Sequence, residues 1–202
     1  MKKTLLVLVV LTTVSFASHS QVHFGIKAGI GVFNFSGDDG DGFDSKVGIT
    51  GGAYAAIPVS DMFAVAPEIQ YSAQGAKTTE SGTEIDFNLN NVNIPVLLQY
   101  RNPSGFIAET GPQIGFLTSA KAKADGGGGE VDIKDSFKGT AFSWVIGLGY
   151  KSKAGVGINA RYNLNLNSIA EDDGGESVDV KNSGFQVTAI FEFGGKGGNA
   201  RK

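Results

Sequence analysis

Apolar residues alternate with small or polar ones, with period two, along most of the chain from Val22 onward. In residues 22–32, Val22, Phe24, Ile26, Ala28, Ile30 and Val32 fall on one face, and His23, Gly25, Lys27, Gly29 and Gly31 on the other. Successive side chains of a β-strand point to opposite sides, so this pattern predicts a strand with two unlike faces. Seven further segments read the same way: 47–57, 63–74, 91–100, 106–116, 142–150, 155–164 and 185–193. Phe87 and Leu89 are out of phase with the apolar face of 91–100, which predicts a bulge near Asn90.

The links between segments alternate in length. Residues 58–61, 101–104 and 151–154 are short, whereas 36–46, 76–84, 118–138 and 167–182 are long. Short turns at one end and long loops at the other are the plan of an up-and-down barrel that spans an outer membrane. The expected fold is therefore all-β, an eight-stranded antiparallel up-and-down transmembrane β-barrel.

The polar face separates this reading from a soluble, lipocalin-like barrel that binds a hydrophobic ligand. A face turned to water normally carries many charges. Here it is mostly Gly, Ala, Ser, Thr, Asn and Gln, with Lys27, Glu68, Glu109, Arg161 and Glu192 the few exceptions. Such a face suits a narrow enclosed lumen, and the Val-, Ile- and Phe-rich face suits lipid. Aromatic residues gather toward both strand ends: Phe24, Phe63, Tyr100, Phe106, Tyr150 and Phe193 near the short turns, and Tyr71, Phe116, Phe142 and Phe185 near the long loops. Interfacial girdles look like this.

Composition refines the picture. Residues 1–20 combine Lys2 and Lys3 with an apolar stretch too short to span a bilayer, and are expected to be a signal peptide. Residues 21–193 are then the barrel and 194–202 a flexible C-terminal tail. Loss of Lys2 and Lys3, with no acid lost, moves the net charge from −3 to −5, which argues against nucleic acid as a partner. The absence of Cys removes disulfides, thiolate metal sites and thiol nucleophiles.

Little catalytic chemistry is visible. His23 is the only His after residue 20, no G-x-S-x-G elbow occurs, and no cofactor site is expected. Gly155-Val156-Gly157-Ile158-Asn159-Ala160 fits a dinucleotide fingerprint, but it lies in an alternating strand with no helix after it to hold a phosphate. Asp38, Asp39, Asp41 and Asp44 put candidate cation contacts in the first long loop. They lack the closing Glu and spacing of a calcium loop, so a solvated loop and no metal site are expected. Within the lumen, Arg161 is expected to bridge Glu68 and Glu109, with Gln70, Gln113 and Asn159 completing a hydrogen-bond network and Lys27 and Glu192 nearby. The 118–138 loop, with its Gly126–Gly129 run, is expected to be mobile.

Several stretches also resemble a known family: His23-Phe24-Gly25-Ile26-Lys27-Ala28-Gly29-Ile30, Pro67-Glu68-Ile69-Gln70-Tyr71-Ser72-Ala73-Gln74-Gly75, Asn93-Ile94-Pro95-Val96-Leu97-Leu98, Glu109-Thr110-Gly111-Pro112-Gln113, Gly147-Leu148-Gly149-Tyr150 and Ala160-Arg161-Tyr162-Asn163-Leu164. In order along the chain, they resemble the Bacteroidetes outer-membrane β-barrel family called PorT-like. The resemblance implies a barrel in the cell outer membrane, with membrane lipid and the barrel-assembly machinery as partners. It does not imply the secretion role of the family's namesake. The expected function is a structural or surface-interaction barrel with a plugged lumen, with a small transport channel as the alternative.

Overall fold

The computed structural model describes residues 22–37, 40, 42–80, 82–125, 129–171 and 179–193. The strands are β1 (His23–Ser36), β2 (Asp44–Pro58), β3 (Phe63–Glu80), β4 (Thr83–Arg101), β5 (Phe106–Ala124), β6 (Val131–Asp132), β7 (Thr140–Lys151), β8 (Val156–Asn165) and β9 (Lys181–Phe193). All pairings are antiparallel between chain neighbours, except that β6 only flanks the upper end of β5, and β5 pairs directly with β7. Pairing of β1 with β9, from Phe24↔Phe193 to Ser36↔Lys181, closes an eight-stranded ring. Closure leaves no open edge, which hydrocarbon would penalise by several kcal/mol for each unpaired backbone group.

The two faces fall as the alternation predicts. Phe24, Ile30, Ile69, Ile146, Leu148 and Ile158 point outward and are exposed, while Lys27, Glu68, Gln70, Glu109, Asn159, Arg161 and Glu192 are buried inside. This orientation excludes a soluble lipocalin-like barrel, whose apolar face would be internal. The outward rings include Phe63 against Tyr100 and Phe191 against Phe193, both edge-on. The decoy fingerprint 155–160 runs from the turn before β8 into that strand.

Inward glycines make room for the large polar residues. The ring of Tyr54 occupies the space above its register partner Gly25, where a Cβ would lie 2.3 Å from it. Above Gly147, a Cβ would meet Arg161 and Glu109 at 2.9 Å.

The strands rise further than the alternation suggested. About 9–11 residues cross a bilayer, yet β3 has 18 and β4 and β5 have 19 each. The expected long link at 76–84 is therefore mostly paired strand. Its apolar alternation is lost because its outer face meets water and carries charge: Lys77 bonds Glu84 at 2.6 Å, and Lys46 bonds Asp86 at 3.1 Å. The hydrogen bond to Glu84 and the charge of Asp86 hold the Lys77 ammonium above its usual range.

The region near Asn90 differs in cause. A register shift does fall between Asn90 and Asn91, but Asn90 pairs with Ser119 and Asn91 with Leu117, so the extra residue is Thr118 on β5. Phe87 and Leu89 stay in phase on the inner face of β4. They are apolar because the top of the lumen is apolar. Phe35, Ala76, Leu89, Ala120, Ile169, Ala170 and Val180 form a buried cluster there, with Phe43, Phe87 and Phe137 packed against it. Phe35 meets Phe43 edge-on at 5.2 Å. A 3-10 turn at Lys134–Ser136 brings Phe137 onto this cluster. Backbone bonds then join the two long loops: Lys138 N–H to Ile169 O at 2.7 Å and Glu171 N–H to Ser136 O at 3.0 Å. Of 118–138, Ala120 is buried in this cluster and Ile133 and Phe137 pack against it, while residues 129–132 and 134–136 are exposed; residues 126–128 of the glycine run lie outside the described residues.

Candidate functional site

Buried ionisable groups converge in the interior. β1, β3, β5 and β8 project Lys27, Glu68, Glu109 and Arg161 to a common level, each no more than 5% exposed. Arg161 makes a two-pronged contact with Glu68, Nη1 to Oε2 and Nη2 to Oε1, both at 2.7 Å. Its Nε donates to Glu109. Lys27 Nζ donates to both oxygens of Glu68 at 2.8 Å and sits 5.1 Å from the Tyr54 ring centre. Asn159 and Gln99 donate to Glu109 at 2.9 and 2.8 Å. Two cations face two carboxylates, so the cluster is neutral and its carboxylate oxygens are bonded. Those are the conditions under which buried charge is tolerated. The planar Arg fork suits this bridging geometry better than an ammonium would.

Other expected members lie at other levels. Gln70 bonds Thr50 at 2.5 Å and Gln186 at 2.9 Å, one inward position above Glu68. Gln113 is buried higher still, beside Asn93 and Asn163, away from the charged cluster. Glu192 anchors a separate cluster at the short-turn end. It accepts from Arg101, Lys151 and, at 3.2 Å, from the Tyr54 hydroxyl, with His23 Nδ1 3.7 Å away. Arg101 and Lys151 escaped the sequence reading because they end strands and look like turn charges. The signal that could have found them is the acid on the inner face of β9 with no partner on its own rung. Asp44 lies on β2 in register with Lys77, while Asp38, Asp39 and Asp41 lie outside the described residues. Among the described residues, no group of His, Cys, Asp or Glu is arranged to hold a metal.

From the short-turn end upward, the inward side chains thus run from the Glu192 cluster through the Arg161 cluster and a layer of amides to the apolar cluster around Phe35. A model of the outer membrane protein beta-barrel domain matches residues 4–193. The chain belongs to that family. Solved structures of similar fold include Neisserial surface protein A, with a TM-score of 0.56, 16% identity, and 84% of this chain and 97% of that one covered. They also include Ail, the attachment invasion locus protein of Yersinia pestis, solved with the heparin analogue sucrose octasulfate, with a TM-score of 0.51, 17% identity, and 86% and 99% covered. No curated protein matches the chain. The family and the shared fold place this barrel in the outer membrane.

Proposed function

We propose that this family member is a structural or surface-interaction protein whose lumen is plugged by its own polar side chains, with no enzymatic activity. The observation that carries the reading is the Lys27–Glu68–Arg161–Glu109 cluster. It links β1, β3, β5 and β8 across the lumen. Eight strands enclose just enough room for side chains, so a bonded cluster at mid-height leaves little space for a solute. Recognition then belongs to the outer loops, because loops on a rigid scaffold can vary without cost to the fold. Those loops are rich in acid, from Asp38 to Asp44 and from Glu171 to Asp179. That charge favours a neutral or basic partner over a polyanion of the kind seen with Ail.

The finer assignments belong to the same proposal. The chain is a PorT-like barrel of Bacteroidetes type, exported by a signal peptide at 1–20 and assembled by the barrel-assembly machinery; the expected tail at 194–202 lies outside the described residues. The transport alternative gives the test. In planar bilayers the purified barrel is expected to show no stable, discrete openings. Openings that Arg161→Ala abolishes would reverse the assignment in favour of a channel.

A further inference from the structure

A cavity of about 200 Å3 opens at the short-turn end of the lumen. Arg101, Lys151 and Glu192 form its inner part, and His23, Ser60 and Asp61 line it nearer the turns. Short turns lie on the periplasmic side of an outer-membrane barrel, so this space faces the periplasm. The residues of the short-turn end include Arg101, Lys151 and Lys153 against Asp61 and Glu192, whereas the outer loops are rich in acid.

The inner part is unevenly paired. Glu192 accepts from both Arg101 and Lys151, so two cations share one acid. A guanidinium and an ammonium each carry several N–H donors. Among the described residues, the side chains of Arg101 and Lys151 each donate a single hydrogen bond, both to Glu192. The Glu192 side chain is 1% exposed, against 16% for Arg101 and 21% for Lys151. The acid is covered, and the cations with donors to spare line the opening.

Charge and shape select the ligand. Arg101 and Lys151 against Glu192 leave one positive charge, which a singly charged anion balances. Asp61 is exposed at the entrance and opposes a second negative charge, which disfavours a phosphate dianion. The planar guanidinium fork matches a carboxylate. Ser60 Oγ accepts from the Phe63 N–H at 3.1 Å, which leaves its own proton to donate. A water needs roughly 10–15 Å3 by the same measure, so the space takes a carboxylate together with several further atoms.

We infer that the periplasmic mouth is a binding site for organic monocarboxylates, held by Arg101 and Lys151. It goes beyond the surface-interaction reading by giving the barrel a second recognition face, and it does not depend on the plug. Free short-chain acids and peptide C-termini share this chemistry.

The test is 1H–15N NMR of the folded full barrel in uncharged micelles, titrated with butyrate, with N-acetyl-alanyl-alanine and with the amide of each. The chain has three arginines, Arg101, Arg161 and Arg201, so their Nε–H signals are few enough to follow. The Arg101 signal is expected to shift saturably with an acid, at roughly millimolar concentration, while Arg161 stays in place and the amides have no effect. The tighter of the two acids identifies the source. An Arg101 signal that no acid moves, or that the amides move equally, would overturn the site, as would tighter binding of inorganic phosphate. Lys151→Gln removes the surplus charge but keeps the Arg101–Glu192 pair, and is expected to weaken acid binding roughly tenfold. Unchanged affinity there would also overturn the site. If that variant does not fold, Asp61→Asn decides: it is expected to tighten binding roughly two- to fivefold, and binding no tighter than wild type counts against the site. Conductance remains a separate readout for the plug.

Discussion

Arg161→Met is expected to lower the stability of the folded barrel by about 3–5 kcal/mol, the cost of removing one partner from a buried ionic cluster. The guanidinium touches both Glu68 and Glu109. Without it, Lys27 still faces Glu68, but Glu109 keeps only the neutral amides of Gln99 and Asn159. A carboxylate buried on those terms must either stay charged without a cation or take up a proton. Methionine fills much of the arginine volume, so the loss reads the charge rather than a cavity. Arg161→Lys keeps the charge but cannot fork between two carboxylates, and should fall between the two. Urea titration of the barrel in lipid vesicles, read by the heat-dependent gel shift, measures both. A midpoint for Arg161→Met equivalent to a change within about 0.5 kcal/mol, the range of an ordinary surface substitution, would remove the cluster from any role in holding the barrel together.

Gly29→Val should fail for a steric reason, at the seam that closes the ring. Gly29 is paired with Thr188 across β1 and β9. A Cβ built on Gly29 would lie 2.0 Å from the carbonyl oxygen of Val187 and 2.6 Å from the Cα of Thr188. Both are backbone atoms, so no rotamer change relieves the clash, and the expected loss exceeds the roughly 1–3 kcal/mol of ordinary overpacking. The variant should accumulate in the slow, unclosed band of an unheated gel. Gly51→Ala is the control, because its nearest atom would be the Lys27 carbonyl oxygen at an ordinary 3.4 Å. Equal closure of Gly29→Val and wild type would show that the seam has more slack than the register implies.

Strand order, face assignment and the inward set of charges were legible because lipid on one side and a narrow lumen on the other impose a strict period of two. Arg161 with Glu68 and Glu109 followed from sign alone, there being few charges to pair inside. Height within the lumen was not legible. Tilt and stagger decide which inward residues share a level, and alternation carries no record of either. Gln113 was therefore grouped with Arg161 although it sits in the amide layer, and Glu192 was left without Arg101 and Lys151. The top of the barrel misled for a different reason. Phe33, Phe35, Phe87 and Leu89 are apolar on the inner face. Next to a membrane-facing pattern, an apolar residue on the wrong parity reads as a register slip. Here it marks the point where the lumen stops being polar.

Trp144 is the only tryptophan in the chain, and β7 turns it outward, 42% exposed, on the lipid-facing side. Its indole N–H donates to the Thr110 hydroxyl at 2.9 Å on the adjacent strand, so the ring is held rather than free to turn toward water. The protein thus carries an intrinsic fluorophore whose surroundings change from solvent to acyl chains at the moment of insertion. A blue shift in its emission reports burial in the bilayer, and quenching by lipids brominated at different chain positions reads its depth. Because Thr110 and Trp144 meet only when β5 and β7 pair in register, one unlabelled optical signal follows both insertion and the zipping of that strand pair.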